Sequence, residues 1–248
     1  MTCDVGGVLL QPAFGPATQA LSGYLTPSAV GAPDIQVAWA PIRLRRPTRT
    51  VARNLEVTIE GPPTLLWRSA AGFPVDLLAT WEDGLLSLTA SLTRNRQEQV
   101  ARRLRPARLP QQLLYLLGIY PAAWVARRRS GAVLVHASAI ELDGRGLLMV
   151  GPGGVGKSSL AAAARSLGVR LISDNLVLAT EQEVRGWREP VRLSRGVDVA
   201  GLVDVGGNGW HGRRDHTLTL DRWTASAVPA LVLATLNAQY NHAAFGLR

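Results

Sequence analysis

Residues 151–158 read Gly-Pro-Gly-Gly-Val-Gly-Lys-Ser, and no other stretch restricts the fold of this chain so much. Four glycines within six positions sustain neither strand nor helix; they suit a turn whose backbone takes conformations closed to other residues. The apolar run Leu147-Leu148-Met149-Val150 leads in, and small or helix-favouring residues from Ser158 to Leu167 lead out. Strand, glycine turn and helix are therefore expected in that order, with Gly168 as the helix's C-terminal cap. The run fits G-x-x-x-x-G-K-[ST], a pattern whose backbone N–H groups and helix N-terminus cradle phosphate oxygens. Its lysine, Lys157, is the only one in the chain; the rest of the 27 Lys and Arg residues are arginine. A compact ammonium enters the narrow space between β- and γ-phosphate oxygens, where a planar guanidinium does not fit.

Each position of the loop then has an expected role. Gly151, Gly153, Gly154, Val155 and Gly156 bring the backbone close to the phosphates. Lys157 neutralises β- and γ-oxygens, and Ser158 offers its hydroxyl to Mg²⁺. Ser159 either contacts the α-phosphate or is simply an early helix residue. A third strand, expected over Val169–Ile172, ends at Ser173-Asp174-Asn175. Asp174 thus falls at the carboxyl end of the strand after the loop's helix, where ligands gather in open α/β sheets. It suits a general base for an attacking hydroxyl, although all three residues are also turn formers. His136 follows the apolar run Ala132–Val135, and taken alone such a histidine is as well explained by structure. His211, His216 and His242 show no metal-ligand spacing.

Composition bounds the remaining classes. The chain of 248 residues is 47% hydrophobic and 18% charged, as in ordinary globular proteins. Its formal charge of +9 comes from scattered arginines, as in Arg43–Arg46, Arg102–Arg105 and Arg127–Arg129. These clusters lack interleaved aromatics and read as solvated faces, so no nucleic-acid partner is expected. Cys3, the single cysteine, sits at an end expected to fray and excludes a disulfide framework. No run approaches the ~20 apolar residues of a membrane span, and no basic leader is present. No membrane association and a cytoplasmic location are expected.

Residues 1 to about 34 read as loop and short strand. From Ile35 to about Leu92 the alternating runs Ile35-Val37-Trp39, Leu55-Val57-Ile59, Leu65-Trp67 and Leu86-Leu88-Ala90 predict strands. Gly61-Pro62-Pro63, Glu82-Asp83-Gly84 and, further on, Gly144 and Gly146 mark turns. Helix is expected at Gln97–Arg105 and again over Gln111–Arg129, kinked by Pro121. This divides the chain into a β-rich accessory region (1–110), a nucleotide-binding core (111–224) and a final segment (225–248).

The stretches Val133 to Ala139, Gly151 to Ser159 and Leu171 to Asn175 together resemble the HPr kinase/phosphorylase family, the HPr serine kinase C-terminal domain. The intervals agree as well: 21 residues from His136 to Lys157 and 17 from Lys157 to Asp174. The resemblance implies an α/β fold with a phosphate-loop core of the HPr kinase and phosphoenolpyruvate carboxykinase type. It implies ATP and Mg²⁺ as ligands, and transfer of the γ-phosphoryl group to a serine hydroxyl on a small protein or peptide. By it His136 assists phosphate or acceptor positioning, and Asp174 is the acid/base. Asn175 stands where the family usually has a second acid; its carbonyl can ligate Mg²⁺ without bringing charge. A nucleotide-binding regulatory module without transfer activity is the alternative, and a homo-oligomer is compatible with either. The segment from Ala230 to Ala243 resembles instead the opening of the B12-binding domain of radical SAM proteins, so 225–248 is either the last strand of the core or the start of a foreign domain.

Overall fold

The alternating runs become strands of a single sheet. The computed structural model describes residues 2–12, 26–28, 31–43, 47–62, 64–70, 75–92, 112–164, 167–187, 191–193, 203–208, 214–217 and 228–235. They are mixed α/β and strand-rich, with two α-helices among them, and the chain divides into units Met1–Val125 and Ala126–Arg248. The helix expected at Gln97–Arg105, the boundary expected at residue 110 and the last 13 positions (236–248) lie outside the described residues.

The first unit contains β1 (Thr2–Val5), β2 (Val8–Gln11), β3 (Thr26–Ser28), β4 (Ile35–Trp39), β5 (Thr48–Ala52), β6 (Leu55–Thr58), β7 (Thr64–Trp67), β8 (Val75–Glu82) and β9 (Leu85–Leu92). They form one nine-stranded sheet in the order β3-β1-β2-β4-β9-β8-β7-β6-β5. The β2–β4 and β4–β9 pairs are parallel and the others antiparallel. Val75, Leu77 and Ala79 on β8 and Leu86, Leu88 and Ala90 on β9 are buried at every second position, the signature of a sheet with one core face. Asp83 and Gly84 have φ of 49° and 82° and close the β8–β9 hairpin with a tight turn of the hand that twisted strands prefer. Cys3 is not at a frayed end. It is 1% exposed, because β1 is hydrogen-bonded to β2 on one side and β3 on the other. Burial pushes its thiol pKa up, away from the reactive thiolate.

Both sheet edges carry features that discourage pairing with another chain. Along β5 the register slips so that Val51 is an extra residue, and Arg49 beside it is exposed. On β3, Pro27 lacks the N–H that a further strand would need.

Residues Leu114–Ile119 form π-helical turns that run into α1 (Tyr120–Ser130). Helical residues continue through Pro121, where the kink is expected. The Tyr120 N–H donates to the Tyr115 carbonyl, five residues back. Such widened turns accommodate a residue that cannot fill its own place in the α-helical ladder. They also bring Tyr115 and Tyr120 onto one face, with ring centroids 6.0 Å apart.

The second unit continues with β10 (Val133–Val135), β11 (Ala137–Leu142), β12 (Arg145–Val150), α2 (Lys157–Ala164), β13 (Arg170–Ser173), β14 (Val177–Ala179), β15 (Glu183–Arg185), β16 (Val191–Leu193), β17 (Val203–Asn208), β18 (Arg214–Thr217) and β19 (Val228–Thr235). Seven of these strands form a sheet ordered β10-β14-β15-β19-β12-β11-β13, and β16-β18-β17 form a smaller one. The turn before β12 is Asp143-Gly144, with φ of 50° and 72°; Gly146, expected in that turn, lies within β12 opposite Glu141. β19 pairs with β15 at Val228–Pro229 and then in parallel with β12 from Ala230 to Thr235. β11 runs antiparallel to both β12 and β13, so those two strands point the same way.

The sheet of the second unit buries apolar residues on both faces. Ile140, Met149 and Leu171 join Ala161 and Ala162 of α2 and Val191 and Leu193 of β16 in one cluster. Ala137, Ala139, Leu148, Ile172, Val177 and Val184 form the other. Burial on both faces explains why these strands read as continuous apolar runs rather than alternating ones. Among the described residues no helix is long and apolar enough to cross a membrane.

Candidate functional site

Beyond Val150 the chain leaves β12 and turns through residues 151–156, and α2 begins at Lys157. The Leu160 N–H donates to the Gly156 carbonyl at 2.8 Å, closing the first helical turn. Val155 is 4% exposed and anchors the loop in the core. Gly154, in contrast, has φ of 84°, and a Cβ built there would meet no atom within 4 Å. The same open space lies over Gly153. One side of the loop is thus packed and the other is clear.

Lys157 is only 7% exposed. Its Nζ donates to the carbonyls of Gly151 at 2.8 Å and Pro152 at 3.0 Å, so the ammonium is folded against its own loop. Ser158 and Ser159 follow in the first turn of α2, both half-buried. A cation held away from bulk water among carbonyl oxygens strengthens the attraction for any anion that reaches the loop.

Asp174 lies on the α2 face of the sheet because of a register slip. Ala139 pairs with Ser173, but its neighbour Ile140 pairs with Leu171, which leaves Ile172 as an extra residue on β13. Leu171 faces the α2 cluster and Ile172 the opposite one. Simple alternation would then send residue 174 to the face away from α2. The bulge reverses that, since one inserted residue flips every later side chain. Asp174 lands on the face shared by Ser138 and Ile140, where it is 4% exposed. Ser138, itself fully buried, directs its Oγ to the Asp174 carbonyl at 2.8 Å and to Asp174 Oδ1 at 2.9 Å. The turn beyond is closed by Ser173 Oγ donating to the Leu176 carbonyl at 2.7 Å. Asn175 lies half-buried within it.

His136 stands at the joint between β10 and β11. Ala137 pairs with Val150, so His136 lies beside the start of the glycine loop. Much of the residue faces solvent, but the partial burial of its ring lowers its pKa below 6.5. The Lys157 ammonium pushes in the same direction and the Asp174 carboxylate opposes it. One imidazole therefore feels both charges. His136, Lys157 and Asp174 share the sheet end formed by the start of β11 and the ends of β12 and β13.

Two residues without an expected role belong to this arrangement. Ser138 is one, and the only sign of it in the sequence is a hydroxyl in an otherwise apolar strand. Gly186 is the other. A Cβ there would overlap the Ile172 carbonyl, so only glycine lets the backbone beyond β15 press against the bulge. Among the described residues no group of three or more His, Cys, Asp or Glu side chains could hold a metal ion.

Gly186→Ala is expected to lower stability by about 1–3 kcal/mol, as overpacking against rigid backbone does, measured by chemical denaturation. Wild-type stability in that variant would mean that the bulge yields freely. A second expectation concerns charge. In the ligand-free protein His136 should titrate below 6.5, upward-shifted by Lys157→Ala and further depressed by Asp174→Asn, as followed by imidazole NMR. Since the unfolded chain binds the extra proton, the contribution of His136 to stability is intact above the unfolded value and declines as pH falls through it. A midpoint insensitive to both substitutions would contradict the shared field.

No protein-family model matches the chain, and no curated protein matches it. Among solved structures, the HPr(Ser) kinase/phosphatase from Coxiella burnetii is similar to part of it, with 18% sequence identity and a TM-score of 0.26. The match covers 41% of this chain and 63% of that one, less than two thirds of the solved protein's length.

Proposed function

We propose that this protein is an ATP- and Mg²⁺-dependent kinase that transfers the γ-phosphoryl group to a serine hydroxyl on a small protein or peptide. The observation that carries the reading is the convergence on one sheet end of a buried ammonium, a buried carboxylate and a histidine that feels both. The clear side of the loop over Gly153 and Gly154 supports it, because a polyphosphate needs close approach to backbone N–H groups. Gly151 through Gly156 would line the phosphates, Lys157 would exchange loop carbonyls for β- and γ-oxygens, and Ser159 would lie near the α-phosphate. His136, held neutral, would help position the phosphate or the acceptor.

The oxygen-only donors fit a hard cation that keeps waters and phosphate oxygens in its shell. Mg²⁺ would be held by the Ser158 hydroxyl and the Asn175 side-chain carbonyl, and would supply neutralisation of phosphate charge. In the transfer, the serine oxygen forms a bond to the γ-phosphorus while the bond from that phosphorus to the β,γ-bridging oxygen breaks. ADP leaves, and the hydroxyl proton passes to the Asp174 carboxylate. Such a reaction asks mainly for positioning and charge neutralisation, which these residues are suited to give.

The first test is binding. MgATP should raise the melting temperature of the wild type by mass action, and Lys157→Ala should lose most of that gain while remaining folded. Asp174→Asn should still be stabilised by MgATP yet transfer no phosphate to a serine peptide, because an amide cannot accept the proton. Binding without transfer by the wild type would favour the regulatory module, a reading that Asn175 in place of an acid also supports. Undiminished transfer by Asp174→Asn would remove that carboxylate from the mechanism.

Position 175 gives a separate test. A carboxylate at position 175 would hold a hard dication more strongly than the Asn175 amide carbonyl, although it would also repel the neighbouring Asp174. With a bound dication the attraction would outweigh that repulsion, so Asn175→Asp should lower the Mg²⁺ concentration required for half-maximal ATP binding. An unchanged or higher requirement in a magnesium titration would take residue 175 out of the metal site.

A further inference from the structure

We infer that Ser138 is a positioning residue, whose buried hydroxyl fixes the Asp174 carboxylate at the glycine loop. The inference rests on the kinase reading above and adds a residue to it. Ser138 has a single hydroxyl proton, and two acceptors of one residue lie within reach of it: the Asp174 carbonyl at 2.8 Å and Oδ1 at 2.9 Å. The hydroxyl therefore ties the main chain and the side chain of Asp174 at once, limiting both the peptide plane and the carboxylate rotamer.

The location makes this contact specific. Asp174 follows a bulge, where the β11–β13 ladder is interrupted and backbone pairing guides the chain least. Ser138 lies one residue before Ala139, the last position in β11–β13 register on that side of the slip. Its hydroxyl replaces the guidance that the ladder loses there. The neighbouring side chains Ala137 and Ala139 are small and fully buried, and both turn to the opposite face. Ser138 thus brings a polar group to a wall where alanine would satisfy packing equally well. Full burial also removes the competing water that would otherwise loosen a hydroxyl–carboxylate bond.

The consequence for the reaction is geometric. A base that takes a proton from an attacking hydroxyl must present one oxygen within hydrogen-bond reach along a defined direction. Engaging Oδ1 sets the carboxylate plane and so the direction presented by Oδ2. Loss of that constraint should slow the transfer step and leave the phosphate-binding loop untouched.

The test compares wild type, Ser138→Ala and Ser138→Thr in the full chain. MgATP affinity is measured by calorimetry, turnover by ADP formation and phosphoserine in an added serine peptide, and the Asp174 side chain by its ¹³C carboxyl resonance. Ser138→Ala should bind MgATP like the wild type but turn over about ten- to a hundredfold more slowly, the usual scale for a misplaced catalytic group. Its Asp174 carboxyl signal should move, and Ser138→Thr, which restores a hydroxyl, should recover both signal and turnover. An unmoved carboxyl signal in Ser138→Ala overturns the inference whatever the activity. So does a moved signal with undiminished turnover, or a threonine variant no better than alanine. If the wild type fails to bind MgATP the kinase reading falls, and the carboxyl signal alone then decides whether Ser138 holds Asp174.

Discussion

A single extra residue on β13 decides what the second unit can present at its sheet end. Ser173 takes the place opposite Ala139 that Ile172 would hold in a regular ladder, and every side chain after the extra residue changes face. Without the slip, Asp174 would point away from α2 and Lys157, into the cluster of Ala137, Leu148 and Val184. A carboxylate there would be buried among apolar groups, at a cost of several kcal/mol. The bulge therefore serves stability and site geometry through the same displacement. Gly186 and Ser138 brace it from the two sides, one by lacking a side chain and the other by supplying a hydroxyl.

Charge in this region is set by a balance of comparable terms. Removing an ammonium from water costs several kcal/mol even after the protein relaxes. Each hydrogen bond to a charged group returns roughly 1.5–3 kcal/mol, and Lys157 makes two to loop carbonyls. The two sums are of similar size, so the loop can hold its lysine in a compact form and still respond strongly to an arriving anion. His136 registers the outcome. Burial and the ammonium keep its ring uncharged near neutral pH, while the carboxylate limits how far its pKa is driven down.

Much of this was legible in the residues, for reasons that differ by element. Strands β4 and β9 alternate because one face of their sheet is buried, and that pattern survives in the sequence; in β6 all four residues are half-buried, and Ile59 of its expected run lies beyond the strand and is exposed. The glycine turn and the start of α2 are readable because few residues tolerate such backbone. β5 left no trace, since Thr48–Ala52 is an edge strand with its side chains mostly in solvent and no buried face to impose a pattern. The bulge was invisible too. Ile172 and Ser173 suit a regular strand, and only the pairing partner reveals the slip. Cys3 was misjudged because sequence position says nothing about the two strands that enclose it. Ser138 and Gly186 act through contacts with residues 36 and 14 positions away, which no local window contains.

The buried ammonium also makes the chain its own reporter. Lys157 carries the only side-chain amine, and it is packed against carbonyl oxygens with 7% of its surface exposed. Acylating reagents can reach it only when the loop opens, so the rate of modification at this position measures opening directly. A protease specific for lysine has a single peptide bond to cut, between Lys157 and Ser158, at the first residue of α2. Cleavage there requires local unfolding of the helix start, so the chain reads out the breathing of its own loop without any engineered label.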